Sequence, residues 1–343
     1  MSGFVGEWAL RRASHAMVWL ATKEPLTVAA ELGIRSEALW RRLIDLEVNA
    51  VAGAVGIQTR AAHRRWQERV DGAYLRGSAI ETSAGRHWRP PAVNWHEGGA
   101  GQPLLLLNGW TASGLTWPTS WLRRLESRFR VIRIDNRGTG WSHNAPAPFS
   151  IADMADDARD VLRACGVDQA VVLGTSMGGM IAQELALRHP GYVENLILVA
   201  TTPPTPARVA SDYPVLSLLS IPAPGQDLRD YFGGLGQFAA KGFAEAHPDI
   251  LDEFVAQMMR RVTPRPMVLS QARAIWAWCG ARRLRHLSVP TTVVQGDRDV
   301  LVRPENGIWL SRHIPGATYE ELPGVGHLVA QEAGDELLRV LGA

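Results

Sequence analysis

Ala170-Val171-Val172-Leu173-Gly174-Thr175-Ser176-Met177-Gly178-Gly179-Met180 joins an apolar, β-branched run to a helical stretch that continues to Arg188, with a serine at the junction. A serine displayed at the top of a sheet needs a turn so tight that strand and helix nearly touch. The positions two before and two after it must then lack side chains. Gly174 and Gly178 meet that demand. In a chain with 33 glycines the bare Gly-x-Ser-x-Gly pattern arises by chance, so its meaning comes from placement between strand and helix.

Downstream segments supply partners. Thr291-Thr292-Val293-Val294-Gln295 reads as a buried strand and runs into Gly296-Asp297-Arg298-Asp299, with Pro304 and a helical Ile308 to His313 beyond. Thr318 to Leu322 reads as another short strand, and Pro323-Gly324-Val325-Gly326-His327 delivers a histidine from a glycine-rich loop before the last helix. Serine, aspartate and histidine follow one another in that chain order. Upstream lie the strand and loop Leu104-Leu105-Leu106-Leu107-Asn108-Gly109-Trp110, and the turn Asp135-Asn136-Arg137-Gly138-Thr139-Gly140-Trp141-Ser142.

From about Val93 to the C-terminus, these five segments in this order resemble the α/β-hydrolase superfamily. The resemblance implies an α/β fold: a mostly parallel sheet flanked by helices, with a helical cap, to which this chain adds an N-terminal all-helical extension. A serine hydroxyl is a poor nucleophile at neutral pH, so an imidazole must take its proton, and a carboxylate must orient and stabilise that imidazole. The catalytic expectation is Ser176, His327 and Asp299. Asp297 competes for the acid's role, and the family's Gly-x-x-Asp spacing from Gly296 favours Asp299. His313 is the rival base, but it falls within a helical pattern before Ile314-Pro315-Gly316. The family also implies that the backbone N–H groups of Trp110 and Met177 form the oxyanion hole; losing one such donor typically costs about 3 to 4 kcal/mol in barrier. Gly138-Thr139-Gly140 lacks the third glycine and the helix start of a dinucleotide loop, so the turn reads as structural, with Arg137 bonding neighbouring loops.

Where many relatives carry His-Gly after the third strand, this chain carries Asn108-Gly109. Lipase-like and polyester depolymerase-like members are similar in using Asn-Gly, and in the strings Tyr231-Phe232-Gly233-Gly234 and Gly326-His327-Leu328. That favours an apolar acyl substrate. A serine at the elbow speaks against haloalkane dehalogenase or epoxide hydrolase chemistry, where the family uses aspartate. Residues between the strand Leu196 to Ala200 and the strand at Thr291 read as helices, with apolar side chains including Leu216, Phe232, Phe238, Phe254, Met258 and Trp276. Most should hold the cap together, and a few should line an acyl pocket.

The expected organisation is an N-terminal helical region over residues 1–80, a hydrolase core over 81–203 and 286–343, and a helical cap over 204–285. The N-terminal region contains a repeat offset by 23 residues, Val28-Ala29-Ala30-Glu31-Leu32-Gly33-Ile34 against Val51-Ala52-Gly53-Ala54-Val55-Gly56-Ile57, in the pattern of a tandem helix-turn-helix. Residues 1–95 hold 13 Lys+Arg against 9 Asp+Glu and the remainder 23 against 25, a small excess for a DNA-binding surface. DNA binding through residues 1–75 is the lesser expectation beside hairpins that pack on the hydrolase or make a dimer.

A hydrophobic content of 46% with 20% charged residues is ordinary for a globular protein. Cys165 and Cys279 form neither a disulfide framework nor metal-ligand spacing, so no metal and no cofactor is expected, and a cytoplasmic setting fits. The short apolar stretch Ala13 to Ala21 contains His15 and has no cleavage site, and no run of eighteen apolar residues exists, so no membrane association is expected. The favoured function is a serine hydrolase acting through an acyl-enzyme on a carboxylic ester, thioester or lactone of a small, mainly apolar substrate. The alternatives are a regulator with DNA- or partner-binding N-terminal helices and a ligand-sensing hydrolase fold, or an acyltransferase using the same triad.

Overall fold

The computed structural model describes residues 92–211 and 228–342. The N-terminal repeat and the reading of it as a DNA-binding element lie outside the described residues, as does Leu216.

The frame is one seven-stranded sheet in the order β1-β3-β2-β4-β5-β6-β7. Its strands are β1 (Trp95–Gly98), β2 (Gln102–Leu107), β3 (Phe129–Ile134), β4 (Ala170–Thr175), β5 (Val193–Val199), β6 (Thr291–Gly296) and β7 (Thr318–Leu322). Only the β1–β3 pair is antiparallel. This is the mostly parallel sheet that the resemblance implied. A parallel sheet is buried on both faces, so its strands are continuously apolar rather than alternating. Four consecutive leucines in β2 show the consequence. Leu105 and Leu107 enter the core shared with Met154, Val161 and Ile181, while Leu104 and Leu106 enter the opposite core with Trp117, Trp121 and Leu337; all four leucines are 0% exposed.

The helical layers follow from those two cores. Helices α1 (Thr119–Glu126), α2 (Ile151–Ala164) and α3 (Met177–Arg188) fill the connections of the first half of the sheet. A capping box starts α2: the Ser150 hydroxyl accepts from Asp153 N while the Asp153 carboxylate accepts from Ser150 N. Between β5 and β6 the described residues from 228 onward form no strand. They build α4 (Leu228–Gly233), α5 (Phe243–Ala246), α6 (Pro248–Arg260), α7 (Arg265–Ala277) and a short 3₁₀ turn, Ala281–His286. The chain closes with α8 (Pro304–His313), α9 (Val329–Glu332) and α10 (Gly334–Leu341).

Several boundaries differ from the sequence reading. The sequence reads as helical from Met180 to Arg188, whereas helix α3 begins at Met177, because the turn at Ser176 feeds directly into it. Helix α8 begins at Pro304, where a fixed φ and a missing N–H suit the first helical position. Strand β5 runs from Val193 to Val199, and Ala200 departs from it at φ +46°. Among the described residues, no helix is long and apolar enough to cross a membrane.

Candidate active site

Ser176 stands between β4 and α3 with φ +56° and ψ −119°. For a side chain larger than glycine this backbone is strained, at a cost of roughly 1 to 3 kcal/mol, and it persists only where the surroundings over-determine it. They do so here. Ser176 N donates to Val199 O at 2.9 Å, and its carbonyl accepts from Gly179 N at 2.9 Å and from the Thr201 hydroxyl at 2.6 Å. The glycines act as their spacing implied. A Cβ on Gly174 would lie 2.3 Å from Gly178 O, and one on Gly178 would lie 2.0 Å from Leu107 O. Both contacts are with backbone that has nowhere to retreat.

Asp299, the expected acid, lies just past the end of β6. His327 Nδ1 is 2.8 Å from Asp299 Oδ2, with both side chains almost wholly buried. The other carboxylate oxygen, Oδ1, accepts from Leu301 N at 2.9 Å and Val302 N at 2.8 Å, while Gln295 Nε2 donates to Oδ2 at 3.1 Å. The rival acid turns elsewhere: Asp297 Oδ1 accepts from Gly324 N at 2.7 Å and its other oxygen faces Arg298. The rival base, His313, stacks on Trp309 at 3.7 Å on α8 and takes the Trp309 carbonyl at Nδ1. An ionised carboxylate only accepts, so Nδ1 of His327 carries the hydrogen, and in the neutral imidazole Nε2 keeps a lone pair.

The histidine's loop is itself clamped. His327 N donates to Phe238 O at 2.7 Å. Glu332, on α9, accepts from Gly326 N at 2.8 Å and Leu328 N at 2.9 Å, the residues either side of His327, and from Ala240 N at 2.7 Å. Burial pushes the Glu332 carboxyl above the usual carboxylate range, against the pull of those three amides.

Trp110 follows β2 on a loop beside the serine; a Cβ built on Gly109 would sit 3.2 Å from Ser176 Cβ. Asn108, at the position where many relatives carry histidine, ties this loop down. Its side chain donates to Thr116 Oγ1 at 2.7 Å and Ser113 O at 3.1 Å and accepts from Gly109 N at 2.8 Å. Met177 N–H opens α3, where the first donors of a helix have no acceptor within it. The turn from Asp135 to Ser142 is a brace: the wholly buried Asp135 accepts from Gly114 N and Trp141 N, both at 2.8 Å. Arg137 grips Asp157 of α2 with two nitrogens, at 2.5 and 2.9 Å.

Ser176, Trp110, Met177 and His327 all line one cavity of about 210 Å³. Of the apolar candidates in the helical stretch, Phe232, Phe238, Phe254, Met258 and Trp276 face it. Among the described lining residues the one permanent charge belongs to Arg208, whose Nη2 donates to Ile275 O at 2.9 Å. No group of three or more His, Cys, Asp or Glu is arranged to hold a metal among the described residues. Cys165 is no rival nucleophile: burial, reinforced by Glu97, pushes its thiol up to about 12. Sequence reasoning passed over Gln295, Thr201 and Glu332, whose partners are fixed only by folding.

The sequence profile of the alpha/beta hydrolase fold matches residues 102–333. A protein of Azorhizobium caulinodans named as a carbamate hydrolase, RutD, is 31% identical over 229 residues, covering 67% of this chain and 85% of its own. A pimeloyl-[acyl-carrier protein] methyl ester esterase of Nitrosospira multiformis is 29% identical over 238 residues, covering 67% of this chain and 89% of its own. Among solved structures, Est816, described as an N-acyl homoserine lactone degrading enzyme, superposes with a TM-score of 0.59 at 28% identity, over 73% of this chain and 95% of that one. With its sheet order, its strained serine between β4 and α3 and a profile match over most of its length, the chain belongs to the α/β-hydrolase fold family.

Proposed function

We propose that this protein hydrolyses a carboxylic ester, thioester or lactone of a small, mainly apolar substrate through an acyl-enzyme, with Ser176 as nucleophile, His327 as general base and Asp299 as the group that orients and stabilises the imidazole. The observation that carries this reading is the 2.8 Å contact between His327 Nδ1 and Asp299 Oδ2, in a loop that opens onto the same cavity as the strained Ser176.

The steps follow from the groups present. Nε2 of His327 takes the hydroxyl proton as Ser176 Oγ attacks the acyl carbon, and Asp299 stabilises the imidazolium that forms. The amides of Trp110 and Met177 take the negative charge of the tetrahedral oxygen. Collapse expels the alcohol, thiol or ring oxygen, which leaves with the proton held on His327. Water, deprotonated by the same imidazole, then frees the acid and restores Ser176. Phe232, Phe254 and Met258 give the acyl chain an apolar wall, which favours desolvated, uncharged chains. The relatives are named for a methyl ester, a carbamate and a lactone, which share a carbonyl carbon bonded to a heteroatom leaving group. The cap expected over 204–285 covers this pocket through its described helices α4, α6 and α7. The cytoplasm is the compartment we assign, since Cys165 and Cys279 form no disulfide.

Native protein should release p-nitrophenol from short p-nitrophenyl esters and be labelled by a fluorophosphonate probe, and Ser176→Ala should do neither. Equal labelling of the two proteins removes Ser176 from the nucleophile's role.

A further inference from the structure

We propose that Gln271 is a positioning residue for the oxyanion half of this reaction, through which the helical segment after β5 holds the loop that presents the Trp110 amide. The inference rests on the acyl-enzyme reading above.

Thr111 has φ +63°, in the left-handed region that β-branched residues rarely enter. Both of its backbone polar groups are held from the helical segment. Its N–H donates to Gln271 Oε1 at 2.9 Å, and its carbonyl accepts from Thr263 Oγ1 at 2.9 Å. The preceding residue is held from the same place, since the Trp110 indole donates to Val268 O at 3.1 Å. Three hydrogen bonds from residues 263, 268 and 271 therefore converge on two consecutive residues. With the indole fixed at one end and the Thr111 N–H and carbonyl at the other, the α-carbon and backbone nitrogen of Trp110 are held in place, and the bond from Ala112 N to Gly109 O at 3.2 Å orients the peptide plane that carries the Trp110 N–H.

Gln271 is 0% exposed and is engaged at both ends, as its Nε2 donates to Arg137 O at 2.7 Å. It thus ties the Trp110 loop to the turn that Asp135 and Arg137 brace. Its own side chain does not line the cavity, whereas its helix neighbours Val268, Ala272 and Ile275 do. A residue so placed sets the donor's aim without touching bound substrate. Aim matters because a donor acts only at about 2.7–3.1 Å from the developing oxyanion, and a shift of about 1 Å can cost on the order of 10²-fold in rate.

The test compares Gln271→Met, which keeps bulk and removes both hydrogen bonds, with Gln271→Glu, which keeps an acceptor for Thr111 N–H, and with the milder Thr263→Val. The readouts are kcat and KM on a p-nitrophenyl ester, the inhibition constant of a phenylboronic acid, whose serine adduct places an oxygen in the oxyanion site, and a thermal melt. Gln271→Met should lower kcat by about 10- to 100-fold with KM within about twofold, and weaken the boronic acid by the same factor. Gln271→Glu should recover a large part of both losses, and Thr263→Val should show the same pattern several-fold smaller. A Gln271→Met enzyme that melts cooperatively and keeps kcat within twofold of native overturns the inference, as does a fall in kcat with boronic acid affinity unchanged, or a Gln271→Glu enzyme as impaired as Gln271→Met. If Gln271→Met does not fold, Thr263→Val decides by the same criteria. Turnover in Ser176→Ala equal to native refutes the acyl-enzyme reading instead, and is read independently of every Gln271 variant.

Discussion

Ser176 and Trp110 stand side by side at the carboxyl edge of one sheet, yet they are held there by different means. The serine is fixed by what lies next to it: two glycines within two residues, the end of β5, and a hydroxyl at Thr201. Trp110 is fixed by Val268, and its neighbour Thr111 by Thr263 and Gln271, all on the far side of a long excursion of the chain; 160 residues separate Thr111 from Gln271. The first arrangement is built by sterics in the sheet itself, the second by polar contacts across the interface with the helical segment. The proposed nucleophile thus depends on the sheet, and the proposed oxyanion donor depends on the docked helices as well.

Asp299 belongs with the locally built group, and the largest effect is expected there. Its Oδ1 takes the amides of Leu301 and Val302, two and three residues on, which leaves Oδ2 for the imidazole. Asparagine keeps the shape but offers a donor where His327 Nδ1 requires an acceptor, which selects the wrong tautomer. Asp299→Asn should lower kcat about 10⁴-fold and also lower the melting temperature, because its NH₂ then faces the buried Gln295 Nε2 as well. A loss under tenfold would shift the acid's role away from Asp299, and Asp297→Asn then becomes the informative comparison.

The same division explains what the sequence disclosed. Gly174, Gly178, the strand ends before Asp299 and the loop to His327 are local signals, legible from their placement between elements, their chain order and the family resemblance that the order carries. Gln271, Thr263 and Glu332 carry no such signal. A glutamine within a helix resembles any other until the fold brings Thr111 to it, and the Glu332 partner at Ala240 lies 92 residues away. Strands β1 and β3 also escape sequence reading, because β1 is four residues with one of them buried and β3 interrupts its apolar run with Arg130 and Arg133. In the sheet β3 lies between β1 and β2, so β1 joins it only through β3.

One substitution made in both regions should have opposite signs. Gly178→Ala drives a methyl to within 2.0 Å of the Leu107 carbonyl, and neither backbone can give way, so the fold should lose about 3 kcal/mol or more. Gly233→Ala, at the end of α4 with φ −58° and nothing within 4 Å of the new methyl, should be neutral or stabilising by about 0.5 to 1 kcal/mol. Denaturant titration of the two variants reads the difference. Equal stability would mean that the elbow relaxes by moving α3, and that its sterics are less rigid than the contacts imply.

Glu332 is where the two modes meet, and its effect should be the smallest. It takes the amides on either side of His327 locally, through Gly326 and Leu328, and one amide of the helical segment, through Ala240. Glu332→Gln replaces one accepting oxygen with an NH₂ group, so at least one of these three amides must face a donor. The loop should loosen, while Asp299 still holds the ring of His327. A fall in kcat of about 10-fold follows, consistent with one disturbed hydrogen bond to a charged group at about 1.5 kcal/mol. Hydrogen exchange tells which amide is released. Faster exchange at Gly326 or Leu328 with Ala240 protected would make Glu332 a purely local brace of the histidine. Faster exchange at Ala240 as well would show the helical segment loosening with it, so that both His327 and Trp110, the proposed base and oxyanion donor, depend on how those helices dock.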